Sequence, residues 1–324
     1  MGKITSYSIV AITASCLTLL AGTANAKDAS TLKIEHFIGT IDIRTGDYDE
    51  ITVTDADGAN YITGSKGLTV NDDKNIRDYN CRYKKDKAYI GKGKWHRKSG
   101  GKGFTTIDAF PLVKITAPEN VHVVVKNTIL FGDIESIGSG DIHVSSCGDL
   151  KLGDVNGAFN LRVSGSGDVK MGDAGDSIIT ISGSGDLVAG DFASGNIVVS
   201  GSGDLEAGDV IRHAKIQTSG SGDIVLARIK GGLEYSGSGS SDFEADYVGG
   251  GDLSIRVSGS SDITIKDGEV GNLYIRASGA SDVNYSGSSV DAEARASGAS
   301  DIYIRRPSGN LRTSDSGAAD VNIR

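Results

Sequence analysis

The chain has 324 residues and a formal net charge of −9, with 46 glycines but only 3 prolines. Collagen-like chains are excluded because they need abundant proline in a strict glycine repeat, and a largely disordered chain would need long polar runs. Aromatic residues make up 6% of the sequence, so any core must be built mainly from Ile, Val, Leu and Ala.

Residues 1–26 have the pattern of a secretory signal peptide. Lys3 supplies a positive charge, residues 9–20 are apolar, and Ala24 and Ala26 provide the small residues of a cleavage site. The apolar run is too short to cross a bilayer as a helix. The sequence therefore predicts export to the periplasm, the outer membrane or the cell surface, with no transmembrane segment in the mature chain.

Residues 27–130 alternate apolar and polar side chains, as at Ile41 and Ile43 and again at Val113 and Ile115. A period of two residues predicts β-strands with one buried face. We expect this part to form irregular opening coils of the repeat structure that follows it. A separate small β-domain is the alternative.

Residues 74–102 form a basic insertion in this N-terminal part. It holds eleven Lys or Arg residues against two aspartates, with tyrosines and one tryptophan between them. Charge combined with aromatic stacking suits an anionic polysaccharide, lipopolysaccharide or nucleic acid, although nucleic acid is not expected for an acidic, exported chain. The alternative is a solvated hairpin whose tyrosines pack on the rest of the fold. The candidate ligand-binding residues are Tyr83, Lys84, Lys85, Lys94, Trp95 and Arg97.

Cys81 and Cys147 are the only cysteines of the predicted mature chain. In an oxidising compartment they can form a disulfide, but the sequence does not show whether their Cα atoms come within bonding distance. A disulfide and two free thiols therefore both stay open. Neither cysteine lies in a metal-binding spacing.

Residues 131–324 repeat a short motif, which reads SGSGD in the first copies and SGSSD, SGASD or SGAAD in later ones. The aspartates that end successive copies follow one another every 18–20 residues from Asp149 to Asp320, which is the signature of a solenoid. Apolar residues alternate with polar ones on both sides of each aspartate, and a third apolar position recurs after it. The sequence therefore predicts an all-β fold, a single-stranded parallel β-helix (β-solenoid) with about 19 residues per coil.

The repeated motif is interpreted as a corner of the coil and not as a phosphate-binding loop, because a strand pattern follows it where such a loop needs a helix. Glycine three residues before the aspartate is kept from Gly165 to Gly317, whereas the glycine one residue before it gives way to Ser or Ala. Only the earlier glycine is therefore expected to be required, for positive φ or close backbone approach. The predicted corner residues of the first SGSGD copies are Gly165, Gly183, Gly201, Gly220, Asp168, Asp186, Asp204 and Asp223.

Stacked coils place the corner aspartates about 4.8 Å apart, and a row of like charges needs an offset. Three offsets are considered: backbone N–H groups of the same turn, bound cations, and a stripe of arginines six residues earlier that includes Arg256, Arg276 and Arg295. Bonding to N–H groups is favoured. The sequence predicts no cofactor and no metal site; calcium is a weaker alternative, because the known calcium-binding repeat has a period of about nine residues.

The last strand pattern, at residues 320–324, carries no capping helix. Unpaired strand edges favour association. An end-to-end homodimer or a capping partner is therefore predicted.

No catalytic motif is evident. The five histidines share no motif spacing, and no G-x-S-x-G or H-E-x-x-H signature occurs. Serine and aspartate recur in every coil, whereas a catalytic set would be confined to one or two coils. We predict a protein that is not an enzyme; a β-helix enzyme acting on acidic polysaccharide is the alternative.

The Gly/Ser-rich coils, with GSGDL and SGASD, resemble the GIN domain family (DUF2807), and IDIRTGDYDEITVT and FPLVKITAPENVHVVV are similar to its opening strands. The resemblance implies an exported β-helix that serves as an adhesin head at the cell envelope; it supplies no catalytic or binding residues. The expected function is adhesion, scaffolding or the binding of extended polymers, with an anionic glycan or an envelope protein as partner. A calcium-stabilised structural rod is a further alternative.

Overall fold

The structure is a computed structural model that describes residues 30–84, 87–93 and 103–324. The predicted signal peptide, residues 1–26, lies outside the described residues. In the described ranges the regular structure is β-strand apart from two 3-10 helices, Ile76–Asp78 and Ile107–Ala109. None of these residues belongs to a helix with the length and apolar character to span a membrane.

The strands fall into three groups along the chain. The N-terminal part contains β1 (Thr31–Glu35), β2 (Ile38–Gly46), β3 (Thr52–Asp55), β4 (Tyr61–Gly64) and β5 (Gly67–Asn71). The insertion contains β6 (Tyr79–Lys84), β7 (Lys87–Lys92) and β8 (Phe104–Thr106). The chain continues with β9 (Leu112–Pro118), β10 (His122–Lys126), β11 (Ile129–Ile134), β12 (Ser139–Val144), β13 (Leu150–Leu152), β14 (Phe159–Val163), β15 (Val169–Met171), β16 (Ala174–Ile181), β17 (Leu187–Val188), β18 (Phe192–Val199), β19 (Leu205–Ala207), β20 (Ala214–Thr218), β21 (Ile224–Ile229), β22 (Leu233–Gly239), β23 (Phe243–Gly249), β24 (Leu253–Gly259), β25 (Ile263–Ile265), β26 (Gly268–Gly279), β27 (Val283–Tyr285), β28 (Ser288–Gly298), β29 (Asp301–Ile304), β30 (Leu311–Gly317) and β31 (Asp320–Ile323).

Strands of successive coils pair in parallel and build two long faces. Face A holds the strands that precede each corner aspartate, in the order β4-β5-β1-β10-β12-β14-β16-β18-β20-β22-β24-β26-β28-β30. Face B holds the strands that follow it, in the order β3-β9-β2-β11-β13-β15-β17-β19-β21-β23-β25-β27-β29-β31. Single parallel bridges, such as Val210 to Ile229, join neighbouring coils along the shorter third side.

The core lies inside these coils, where the side chains of alternate strand residues meet. Ile179, Ile197 and Ile216 stand directly over one another and are each 0% exposed. One apolar cluster built in this way runs from Leu32 to Ala319. Burial of each large aliphatic side chain is worth about 1.5–3 kcal/mol, so stacking is the main source of stability. The predicted parallel β-helix with about 19 residues per coil is confirmed.

The N-terminal coils are irregular in their order along the axis. β1 and β2 form one coil; β5 and β9 pair with them on one side, and β10 and β11 pair with them on the other. The coil that contains β5 and β9 is therefore the outermost one, although it follows β1 and β2 in the sequence. Between β9 and β10 the chain crosses to the other side of the first coil. β3 and β4 run antiparallel to β9 and β5, which covers this edge of both faces against further stacking.

The insertion forms a small antiparallel sheet, β6-β7-β8, beside the solenoid. Residues 85–86 and 94–102 lie outside the described ranges, and β8 lies beyond the predicted boundary of the insertion at residue 102. Ala88 and Ile90 of β7 pack in one apolar cluster with Ile38, Ile129 and Phe131 of the first coils. The insertion is therefore docked on face B near its N-terminal end.

Candidate functional site

The corner carboxylates bond to the next coil. Oδ1 of Asp168 accepts the backbone N–H of Asp186 at 3.0 Å, and Oδ1 of Asp186 accepts that of Asp204 at 2.9 Å. The same bond recurs along the column, for example between Asp204 and Asp223 at 2.8 Å. A backbone N–H group is thus the partner of these carboxylates, but the expected donor within the same turn is replaced by a donor one coil further on. Each aspartate therefore ties two coils together.

The column of corner carboxylates keeps part of its electrostatic repulsion. Burial and then the neighbouring charge of Asp242 raise the pKa of Asp262, although the N–H of Asp282 acts in the opposite direction. In the part of the chain that the structure describes, no group of three or more His, Cys, Asp or Glu side chains is arranged to hold a metal ion. Calcium binding at the corners stays the weaker alternative to the predicted absence of a metal site, and the unfolding temperature with calcium and with a chelator would test it.

The arginine stripe does not neutralise the corners. Arg256, Arg276 and Arg295 lie on consecutive strands of face A in one column. In the described ranges none of them forms an ion pair with a corner aspartate; Arg295 pairs with Glu293 at 2.8 Å, and Nη1 of Arg256 donates to Ser254 Oγ at 3.3 Å. These three arginines are therefore not the offset for the aspartate column that the sequence suggested.

The first corner glycine lies against the carbonyl group of its counterpart in the preceding coil. A Cβ on Gly201 would lie 1.9 Å from the carbonyl oxygen of Gly183, closer than any real contact. In later copies this glycine also has positive φ, from 137° at Gly239 to 87° at Gly317, a region that favours glycine. Close approach of the neighbouring backbone therefore requires glycine at this position along the array. From Gly239 onwards the positive φ favours glycine as well.

The second corner glycine is also required in the first copies. A Cβ on Gly185 would lie 2.1 Å from the carbonyl oxygen of Gly167. The serines that replace it later, such as Ser261 and Ser281, are 0% exposed, and the N–H of Ser261 donates to Ser281 Oγ at 3.2 Å. The prediction that only the earlier glycine is required is therefore wrong for the first half, and the change from SGSGD to SGSSD accompanies a change of corner conformation.

Two of the six candidate ligand-binding residues, Tyr83 and Lys84, fall in the described ranges, whereas Lys85, Lys94, Trp95 and Arg97 lie outside them. The Tyr83 hydroxyl donates to Oδ1 of Asp149 at 2.9 Å. Burial, and then this bond, raise the pKa of Tyr83. Tyr83 thus packs on the first acidic corner, although its side chain stays 43% exposed. Lys84 is exposed at the end of β6.

Cys81 and Cys147 form a disulfide, with their Cα atoms 6.0 Å apart. Of the two alternatives that the sequence left open, the structure therefore contains the bonded pair. Cys147 is 1% exposed and lies in the apolar cluster under the insertion. The disulfide and the bond from Tyr83 to Asp149 anchor β6 at the same corner.

Two histidines of face A contact serines. Nε2 of His143 lies 2.8 Å from Ser164 Oγ, and Nδ1 of His122 lies 2.8 Å from Ser139 Oγ. Burial, and then Arg162, lower the pKa of His143, which keeps its ring neutral near pH 7. A serine nucleophile also needs a group that orients the histidine. Over the described residues no carboxylate is hydrogen-bonded to the other ring nitrogen of either histidine, so neither pair forms a triad.

Stacked coils, columns of repeated outward residues and an anchored insertion define a β-solenoid repeat protein. The chain belongs to the family described as "Putative auto-transporter adhesin, head GIN domain" (DUF2807), whose profile matches residues 47–230 and 214–324. The family predicted from the corner motifs is thereby confirmed. Comparison with curated proteins and with solved structures finds no match. The family description is that of an adhesin domain and not of an enzyme, and it points to a surface or exported protein.

Proposed function

We propose that the protein is a non-enzymatic, exported solenoid that binds extended polymers at the cell envelope, as an adhesin head or scaffold. One observation carries this proposal: in the second half of the array an outward arginine and an outward serine recur on successive strands of face A. Ser258, Ser278 and Ser297 stand in one column, for example. A ligand with its own linear repeat meets an equivalent group in each coil, whereas a compact substrate would need a set of groups gathered in one place.

The dimensions of the array also favour a chain-like ligand. Ten coils at about 4.8 Å each give faces on the order of 48 Å long. Many weak contacts along such a face add up to useful affinity when they belong to one polymer. The family description, an adhesin head, supports the same use.

The basic insertion is one proposed contact with an anionic glycan. Its charged residues Lys84, Lys85, Lys94 and Arg97 would pair with carboxylates or sulfates, and Trp95 and Tyr83 are the proposed stacking residues. The quadruple variant K84Q/K85Q/K94Q/R97Q is expected to weaken binding to anionic glycans, and more at low salt than at high salt. Unchanged binding at low salt would remove the insertion from the mechanism.

A glycan array probed with the processed, exported chain tests the proposed function, with acidic and neutral polysaccharides and envelope fractions immobilised side by side. We expect retention on extended polymers without shortening of the bound chains. Shortening of an acidic polysaccharide would favour the enzyme alternative. Failure to retain any polymer or envelope fraction would overturn polymer binding.

A further inference from the structure

Three arginines of face A form an exposed row of like charges. Arg256 on β24, Arg276 on β26 and Arg295 on β28 are in register, so their strands are about 4.8 Å apart. In the described ranges Arg276 makes no ion pair, and Arg295 pairs only with Glu293 at 2.8 Å. A row of equal charges at this spacing is unfavourable. These arginines do not pair with the corner aspartates. We therefore expect an anionic ligand to neutralise their charge.

A groove of about 510 Å³ runs along this row, and serines form its second wall. Ser258, Ser278 and Ser297 lie two residues beyond the arginines on the same strands. Their hydroxyls reach backbone carbonyl oxygens at only 3.4–3.5 Å, so their oxygens can still accept a bond from a ligand hydroxyl. The groove therefore offers guanidinium and hydroxyl groups together.

An aromatic ring lies beside the row. Tyr274 is two residues before Arg276 on β26, and its side chain is 45% exposed. It stands in one column with Ser254 and Glu293, so no second ring extends it along the axis. A single exposed tyrosine ring can pack against one flat, partly apolar surface, such as the face of a sugar ring, while the tyrosine hydroxyl stays in water.

We propose that Arg256, Arg276 and Arg295 form the binding site of one linear acidic polysaccharide that lies along the solenoid axis. Its carboxylates pair with the guanidinium groups, its hydroxyls bond to the serine wall, and one sugar ring packs on Tyr274. The proposal rests on the proposed function, polymer binding, and assigns it a ligand class and a surface.

The flanks of the groove favour a narrow chain over a broad polyanion. Asp252 and Asp291 lie four residues before the arginines on β24 and β28, and the corner aspartates Asp262 and Asp282 follow six residues after Arg256 and Arg276. An anionic membrane or a nucleic acid duplex would bring phosphates against these carboxylates as well as against the arginines. A single polysaccharide chain fits between these two rows of aspartates, on the arginine column, the serine wall and Tyr274.

The experiment measures binding of polygalacturonate oligomers by the full processed chain. The variant R256Q/R276Q/R295Q is expected to bind about tenfold more weakly, the size that three exposed ion pairs allow. The matched control is R305Q/R306Q/R324Q, which changes the net charge equally at exposed arginines of the last coil and should bind like the unmodified protein. Equal circular dichroism melting curves show that all variants are folded.

A second variant separates a sugar site from a simple charge effect. Tyr274→Ala should weaken binding to polygalacturonate and leave binding to inorganic polyphosphate unchanged, because only the sugar offers a ring face. Equal affinities of the stripe variant and the control for polygalacturonate would overturn the arginine site. Stripe-dependent binding to anionic phospholipid vesicles or single-stranded DNA, with none to polygalacturonate, would overturn the ligand class.

The outcomes also separate this inference from polymer binding in general. Loss of polygalacturonate binding in K84Q/K85Q/K94Q/R97Q but not in the stripe variant would overturn the stripe and leave the proposed function standing. No binding of any polymer by the unmodified protein would overturn both.

Discussion

At Gly201 the backbones of two coils lie so close that no side chain fits between them. Gly201→Ala is expected to lower the free energy of unfolding by at least about 2 kcal/mol, because its Cβ would lie 1.9 Å from the Gly183 carbonyl oxygen. Thermal unfolding followed by circular dichroism measures the loss. Gly195→Ala is the control, since its Cβ would meet Ile197 at an ordinary 3.4 Å and the aligned residue of the next coil is Ala214. Equal melting temperatures of the two variants would show that the corner backbone can relax.

Asp204 separates the role of a hydrogen-bond acceptor from that of a negative charge. Asp204→Ala removes the acceptor of the Asp223 N–H and is expected to cost about 1 kcal/mol. Asp204→Asn keeps an acceptor oxygen and removes one charge from the column, so its stability should lie close to that of the unmodified protein. Denaturant unfolding compares the two. If Asn is as destabilising as Ala, the charge itself is needed, as a cation-binding column would require.

The importance of these corner residues could be predicted because ten copies in one chain separate fixed from variable positions. The partner of each aspartate could not, because its donor belongs to the next coil and depends on how the coils stack. The role of Gly185 was missed for the same reason: its neighbour is Gly167, a whole coil away. Local turn chemistry cannot describe a contact of that kind.

At the scale of the element, a disulfide ties the insertion covalently to the solenoid. Cys81 and Cys147 are 66 residues apart, and closing a loop of this size is worth roughly 4 kcal/mol in the chain-entropy description. The double variant C81S/C147S is expected to detach β6–β8 and leave the solenoid folded. Limited proteolysis should then cut within residues 74–102 while the far-ultraviolet dichroism stays unchanged.

Tyr83→Phe is the matched control for the disulfide. It removes only the bond to Asp149, so its proteolysis pattern should stay close to that of the unmodified protein. Equal resistance of the cysteine variant and the unmodified chain would show that the noncovalent contacts, the apolar cluster around Ile90 and the bond from Tyr83 to Asp149, hold the insertion without the disulfide.

Strand alternation identified the elements of the N-terminal part but not their order. A period of two residues tells which side of a strand is buried, yet it does not say which strand lies beside it. The placement of β5 and β9 outside β1 and β2, and the antiparallel β3 and β4, depend on long-range pairing. The arginine stripe shows the same limit, since its period was visible whereas its distance from the corner aspartates required the register of face A.

At the scale of the molecule, the last strands of the described residues carry polar side chains in inward columns. Thr313 and Asp315 continue the columns of Ala294 and Ala296, and an inward-pointing charge disfavours stacking of a further strand. The end-to-end homodimer stays a prediction. Asp315→Ala should raise the associated fraction in light scattering at high concentration if this edge is the contact, and an unchanged fraction would exclude it.

Each coil of the array contacts only its neighbours, so stability should be close to a sum over coils and their interfaces. Removal of residues 187–204 takes out one coil and joins Asp186 to Leu205, which already stands in register with Leu187. The shortened protein is expected to unfold cooperatively with a slightly lower melting temperature, and its length in X-ray scattering should fall by about 5 Å. Removal of residues 187–195 is the control, because it deletes only half a coil, namely the face B strand β17 and the first half of the face A strand β18, and so breaks the register of the strands that follow. That protein should lose its β-sheet dichroism. An equal loss of dichroism in both deletion proteins would mean that contacts specific to one coil, and not the repeat itself, hold the solenoid together.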